Sequence, residues 1–353
     1  MASNFHSIPV IDCGLANSPS TRPELLKQLH HAITCVGFLY LSNHEVSQKT
    51  ISDLRGALPA LFALDEATKE EVALHNSPHF LGYSQVGSET TGGVEDKREQ
   101  FEFATELPDT WREGLPRYER LNGPNQWPAH NAAVRAIVQR YIDELTRLSE
   151  RFLTLVAEAL SLPAETLFSC LSEQHRLKLV HYPASDPSDP TGQGVGPHKD
   201  SSGWWTFLLQ ASPPEVKGLQ VLNKTGDWID VPVVEDTFVV NIGQAFEVVT
   251  HGVCKATTHR VLSGPHERFS VPFFQGVRGS LTKDEALGAL RQHFAATKDS
   301  SIESAEGTSI DSAFLRGRYD TWGESQLRTK IRSHRDVGRK FYADVFDKYI
   351  HDS

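Results

Sequence analysis

Three short stretches carry residues whose types and spacing could do chemistry: His198-Lys199-Asp200, then His259-Arg260-Val261, then Arg268-Phe269-Ser270. Two imidazoles and one carboxylate can occupy one face of a redox-active iron and leave the opposite positions open for a co-substrate and dioxygen. A downstream arginine offers a bidentate, charge-assisted grip on a carboxylate, and a serine hydroxyl can add a third bond.

A His-x-Asp pair decides little by itself. With 16 histidines in 353 residues, about one such pair is expected by chance, and this chain holds two. His334-Arg335-Asp336 falls in a helical pattern, where residues two apart point to different faces, and is read as solvated surface. His198 and Asp200 open a β-rich region, and on a strand both side chains leave one face. For the second histidine the choices are His251, His259 and His266. His259 is favoured because it lies on a strand expected over 257–262 and precedes Arg268 and Ser270, which also share a face. His251 and His266 sit in turn-like surroundings.

The elements that must position these residues fall into three textures. Residues 1–171 read as a mixed, mainly helical region, with strands at 8–11, 37–41 and 100–104 and helical spacing over 25–35 and 132–160. Residues 172–280 read as short β-runs separated by turns, at 219–222, 228–231, 238–242 and 268–274, the pattern of a jelly roll. Residues 281–353 read as a helical extension with a polar surface loop over 298–309, ending in one amphipathic helix over 328–350 clamped on the outside of the barrel. Gly192-Gln193-Gly194-Val195-Gly196 leads into Pro197-His198 instead of a helix, so it reads as an approach to the metal strand and not as a phosphate loop.

These signposts together resemble the isopenicillin N synthase-like branch of the Fe(II)/2-oxoglutarate-dependent dioxygenases. The matching residues run in order from Ile8-Pro9-Val10-Ile11-Asp12 through Gly37-Phe38, Asn43-His44, Tyr182-Pro183 and the first His-x-Asp pair. They continue with Gly218-Leu219-Gln220-Val221, Val240-Asn241-Ile242-Gly243, His259-Arg260-Val261 and Arg268-x-Ser270. The resemblance implies a double-stranded β-helix, a mainly β core with flanking helices. It implies that His198, Asp200 and His259 bind Fe(II), and that Arg268, Ser270 and Tyr182 hold 2-oxoglutarate, with dioxygen as the third reactant. The expected reaction couples 2-oxoglutarate decarboxylation to hydroxylation, desaturation or cyclisation of a small organic substrate, in secondary metabolism. Two alternatives are an iron oxidase of the same family that needs no 2-oxoglutarate, and a non-catalytic metal-binding jelly-roll protein.

Arg176, Lys178, Val180 and Tyr182 share one strand face, so Lys178 is a second candidate carboxylate contact. The competing reading is a solvated edge strand, and it weighs more heavily for Arg176 than for Lys178. Substrate-pocket candidates are Tyr83, Glu89, Phe101, Phe103, Trp204, Trp205, Phe246 and Phe274. At most one of the adjacent indoles can face the metal, and even parity with His198 and Asp200 favours Trp204, a choice that a bulge at Gly203 would reverse. Three departures from the family pattern stand beside the site: one extra residue in 201–205, Gln244 for a common acid, and His251 for a common Asn.

Composition bounds the partners. The balance of 45 acidic against 35 basic residues, a formal charge of -10, disfavours nucleic acid and anionic membrane. Cys13, Cys35, Cys170 and Cys254 show no paired spacing, which suits a reducing compartment. The expectation is a cytoplasmic monomer acting on a small molecule, with Asn223-Lys224-Thr225 an accidental glycosylation match.

Overall fold

The computed structural model describes residues 5–129, 131–185, 192–297, 310 and 312–351. The polar loop expected over 298–309 lies outside them.

The described residues form fourteen strands, twelve of them in the two core sheets and β4 and β5 in a separate pair. From the N-terminus they are β1 Val10–Asp12, β2 Phe38–Ser42, β3 Gly82–Ser84, β4 Thr90–Thr91, β5 Val94–Glu95, β6 Glu99–Ala104 and β7 Arg176–Tyr182. There follow β8 Gln193–His198, β9 Trp205–Gln210, β10 Leu219–Leu222, β11 Trp228–Asp230, β12 Phe238–Ile242, β13 His259–Leu262 and β14 Arg268–Phe274. An eight-stranded sheet runs β1-β2-β12-β9-β14-β7-β6-β3 and a four-stranded sheet runs β11-β10-β13-β8. Together they form the jelly-roll core. Residues 1–171 do more than cover it, because β1, β2, β3 and β6 are strands of the large sheet itself.

The period of two sorts each strand between two environments. On β9, Phe207 and Leu209 join the core cluster with Trp205, while Thr206 and Leu208 face the cavity between the sheets. On β7, Leu177 and Leu179 join that core, while Arg176, Lys178, Val180 and Tyr182 line the cavity. On β14, Val271 and Phe273 alternate with Arg268, Ser270, Pro272 and Phe274 in the same way.

The apolar backs of these strands are sealed by the long helix Ala132–Ala159, whose Val138, Tyr141, Leu145, Leu148, Phe152 and Val156 are buried. Phe152 meets Trp205 and Phe207 edge-on at ring separations of 5.2 and 5.5 Å. Asn131 starts the helix by accepting the Val134 N–H, satisfying one of the donors that every helix start leaves open.

The C-terminal segment departs from the single helix expected over 328–350. It forms three, Trp322–Ser333, Arg335–Phe341 and Ala343–His351. His334 breaks the first junction with φ -127° and ψ 76°, because its ring turns inward against Phe80 and Glu89. Tyr342 breaks the second with φ -135°, and its hydroxyl donates to the Pro78 carbonyl at 2.6 Å. All four cysteines are free thiols. Asn223 is buried in the β10–β11 turn, where its side chain accepts from the Thr225 and Asp227 N–H groups, which gives this sequon a structural role.

Candidate metal and co-substrate site

His198 ends β8 and His259 opens β13, and the two are direct partners across the antiparallel pair. Their ring centres lie 4.3 Å apart. Asp200 follows two residues after His198, and its Oδ1 stands 3.6 Å from Nε2 of each histidine. All three ligand atoms lie within 4.8 Å of one another.

The surroundings aim these atoms. His198 Nδ1 lies 2.8 Å from the Gly196 carbonyl and His259 Nδ1 3.1 Å from the Thr257 carbonyl. A carbonyl only accepts, so each Nδ1 carries its proton and each Nε2 lone pair is left for a metal. Asp200 Oδ2 accepts from Thr206 Oγ1 at 2.5 Å and from Asn241 Nδ2 at 2.7 Å, which leaves Oδ1 turned toward the imidazoles. Burial works against charge throughout the trio. It pushes His198 below its ordinary pKa, with help from His259. At His259 Asp200 outweighs burial and raises the pKa, while the two imidazoles outweigh burial at Asp200 and hold its carboxyl well below the usual range. Such a donor set, two neutral nitrogens and one carboxylate in a closed triangle, fits Fe(II).

Arg268 lies in the same cavity. It is 3% exposed, and burial lowers its pKa, with Tyr182 partly offsetting the effect. Nη2 donates to Gln210 Oε1 at 3.3 Å, whereas Nη1 is buried without a hydrogen-bond partner. A buried guanidinium nitrogen with nothing to donate to is costly, and a carboxylate arriving in the cavity would remove that cost. Tyr182 pairs with Arg268 across β7 and β14, and Ser270 follows two residues along on the same face. Two glycines keep this end open. A Cβ on Gly218 would come within 3.3 Å of Arg268 Cδ, and one on Gly194 within 3.0 Å of the Tyr182 ring. The Gly192–Gly196 stretch is thus part of the wall, with β8 beginning at Gln193.

The cavity has a volume of about 240 Å³, at the small end for ligand pockets of about 300–1,000 Å³. Of the sequence-derived substrate candidates, Glu89 and Phe274 line it. Phe101, Phe103, Trp204, Trp205 and Phe246 are instead fully buried in the hydrophobic core, and the Tyr83 hydroxyl donates to Glu99 at 2.6 Å away from the triad. Neither indole faces the metal. Parity fails because Gly203, at φ +89°, interrupts the extended chain between Asp200 and Trp205. Thr206 is the residue that returns to the metal face, and both indoles pack on Phe246 at 5.5 and 4.7 Å.

Lys178 and Arg176 are not on a solvated edge, since β7 is held between β14 and β6. His334, read as surface, is 8% exposed and lies 3.2 Å from Glu89. The helix Trp322–Ser333 brings Gln326, Thr329, Lys330 and Ser333 to the cavity. Sequence reasoning passed over these residues and over Thr206. One signal for them was present: Glu102 lies between Phe101 and Phe103 on a strand buried along its whole length, and a buried carboxylate requires cations from elsewhere in the chain.

A fold of this kind with such a site defines a class of metal-dependent oxygenase, and comparison with known proteins gives the family. Residues 8–130 match the model of the non-haem dioxygenase N-terminal region named for morphine synthesis. Residues 173–277 match the 2OG-Fe(II) oxygenase superfamily. The chain is 40% identical to a 2-oxoglutarate-dependent dioxygenase, frbJ, of Dothideomycetidae sp. strain 11243, over 96% of this chain and 92% of that one. It is 34% identical to a 2-oxoglutarate-dependent dioxygenase of Gibberella zeae, over 98% of this chain and 93% of that one. Among solved structures, a full-length Neurospora crassa protein in complex with alpha-KG superposes with a TM-score of 0.65 at 25% identity, covering 77% of this chain and 85% of that one. The protein belongs to the Fe(II)- and 2-oxoglutarate-dependent dioxygenases. It is an oxidoreductase that couples 2-oxoglutarate decarboxylation to oxidation of a small organic substrate. No helix among the described residues is long and apolar enough to cross a membrane.

Proposed function

We propose that His198, Asp200 and His259 hold the iron and that Arg268, Ser270 and Tyr182 hold the far carboxylate of 2-oxoglutarate. The observation that carries this reading is the buried, unpartnered Nη1 of Arg268 in the cavity that the triad lines. Iron, 2-oxoglutarate and dioxygen together supply the oxidant, and the co-substrate leaves as succinate and carbon dioxide. The chain's own residues do the rest. Gly196 and Thr257 carbonyls fix the imidazole tautomers, and Thr206 and Asn241 hold Asp200 in one orientation. Arg268 anchors the co-substrate at one end of the sheet face. Val180, Leu208, Leu219 and Val261 wall the cavity with apolar surface, which excludes water and strengthens each charge interaction inside.

Hydroxylation is the expected outcome, and desaturation or ring closure would use the same oxidant. The chain would work in the cytosol as a monomer, in secondary metabolism, on a small molecule and apart from nucleic acid and membranes. Four free thiols and the negative net charge support that setting. The test is to count succinate against oxygen consumed once a substrate is supplied. One succinate per oxygen supports the assignment. Oxygen consumption without succinate would mean that Arg268 and Ser270 serve a carboxylate of the substrate itself.

A further inference from the structure

Beyond the Arg268 end, the cavity carries a second group of charges. Lys178 lies four residues along β7 from Tyr182, about 13 Å of extended strand. Around it, Arg98, Arg176, Lys178 and Lys330 line the cavity against two carboxylates, Glu89 and Glu102. Asp96 stands behind Arg98 at 3.6 Å. Even with that third carboxylate counted, the described residues leave one positive charge over.

The geometry identifies which one. Glu102 is held by Lys330 at 2.7 Å and by Arg176 at 3.0 Å. Glu89 is held by Arg98 at 2.6 Å and by His334 at 3.2 Å. Arg176 is further committed to the carbonyls of His79, Phe80 and Leu121. Lys178 alone has only long contacts, 3.4 Å to Gln100 Oε1, 3.6 Å to Glu89 and 3.8 Å to Glu102. Its ammonium lies between two carboxylates that each have two nearer cationic or imidazole partners. Burial, with Arg176 beside it, lowers the neighbouring Lys330 to about 8 against the pull of Glu102.

We infer that the substrate to be oxidised carries a negatively charged group, a carboxylate or phosphonate, and that Lys178 and Lys330 receive it at the end of the cavity remote from Arg268. This deepens the proposed function and rests on its placing 2-oxoglutarate at Arg268. An ammonium group on the substrate is disfavoured there, since it would have to displace cations already bound to Glu89 and Glu102. The helix Trp322–Ser333 then helps determine specificity, because it supplies Lys330.

The test uses full-length protein loaded with Mn(II) in place of iron and saturated with 2-oxoglutarate, so that Arg268 is filled and no turnover occurs. Binding of matched four- to six-carbon carboxylates, phosphonates, amides and amines is measured by ligand-observed NMR. The expected result is that the carboxylate or the phosphonate series binds at least tenfold more tightly than amides and amines, the tighter of the two showing which anion the site takes. Lys178→Met and Lys330→Met, checked for native melting, should each reduce that preference while 2-oxoglutarate affinity stays unchanged. Amides or amines binding as well as the anions, no anion binding at all, or a preference that survives both variants would overturn the inference. So would a loss of 2-oxoglutarate affinity in Lys178→Met, which would return Lys178 to the co-substrate. Failure of 2-oxoglutarate to bind the wild-type protein would instead overturn the co-substrate assignment.

Discussion

His198 and His259 face each other across the β8–β13 pair, so a single antiparallel register sets the spacing of two nitrogens separated by sixty residues of chain. A slip of one residue would turn one imidazole to the opposite face of the sheet. The third member of the triad is fixed differently. Asp200 lies past the end of β8 and depends on Thr206 and Asn241, from two strands of the large sheet.

That dependence gives a first prediction. Thr206→Val and Asn241→Leu each remove one hydrogen bond to Asp200 Oδ2 and should weaken iron binding about 10- to 100-fold, with the fold retained. Titration of the apoprotein with Fe(II) under anaerobic conditions measures this. Wild-type affinity in both variants would mean that Asp200 needs no such support.

Arg268→Lys replaces a planar fork with a point charge at a buried site. Losing one charge-assisted hydrogen bond costs about 1.5–3 kcal/mol, so the 2-oxoglutarate requirement should rise about 10- to 100-fold while iron affinity holds. The dissociation constant of 2-oxoglutarate at saturating metal is the quantity to compare.

Trp204→Ala and Trp205→Ala should each lower stability by about 3–5 kcal/mol, because both indoles are fully buried in the core away from the cavity. In whatever fraction remains folded, succinate formation should stay coupled to substrate oxidation. Uncoupling in either variant, at temperatures where it is fully folded, would place that indole in the pocket.

His175 supplies a pH dependence. Burial lowers its pKa to about 4, and its Nδ1 accepts the Gly276 N–H at 3.0 Å. The folded state therefore favours the neutral ring. Between the ordinary value near 6.5 and about 4, the unfolded chain binds a proton that the folded chain refuses. Stability from this group is full above that window and falls as pH drops through it, by on the order of 3 kcal/mol. His175→Asn, which keeps an acceptor, should flatten this part of the acid limb in urea unfolding measured from pH 7 to 4. An unchanged slope would show that other groups carry it.

The convergence of the candidate metal and co-substrate residues on one cavity was legible because strands alternate with a fixed period. Once His198, Asp200, Arg268 and Ser270 were assigned to strands or their ends, their shared face followed from spacing. Collinear signposts then pointed to the fold. The other wall was hidden for a physical reason. Lys330 and His334 sit among charged neighbours in a stretch whose sequence reads as the solvated face of an amphipathic helix, and their burial depends on Glu102 and Glu89, more than two hundred residues earlier. Local periodicity holds no record of such partners. The two indoles misled for the opposite reason: parity was counted across Gly203, whose left-handed backbone resets it.

The central claim is that one cavity holds iron through His198, Asp200 and His259 and 2-oxoglutarate through Arg268. An anaerobic optical titration tests it most directly, because a keto acid chelating Fe(II) gives a visible charge-transfer absorption that neither component shows alone. The band should appear at one equivalent of iron in the wild-type protein. It should be absent in folded Asp200→Ala and require more 2-oxoglutarate in Arg268→Lys. A band of wild-type intensity in Asp200→Ala, at unchanged 2-oxoglutarate concentration, would contradict the account.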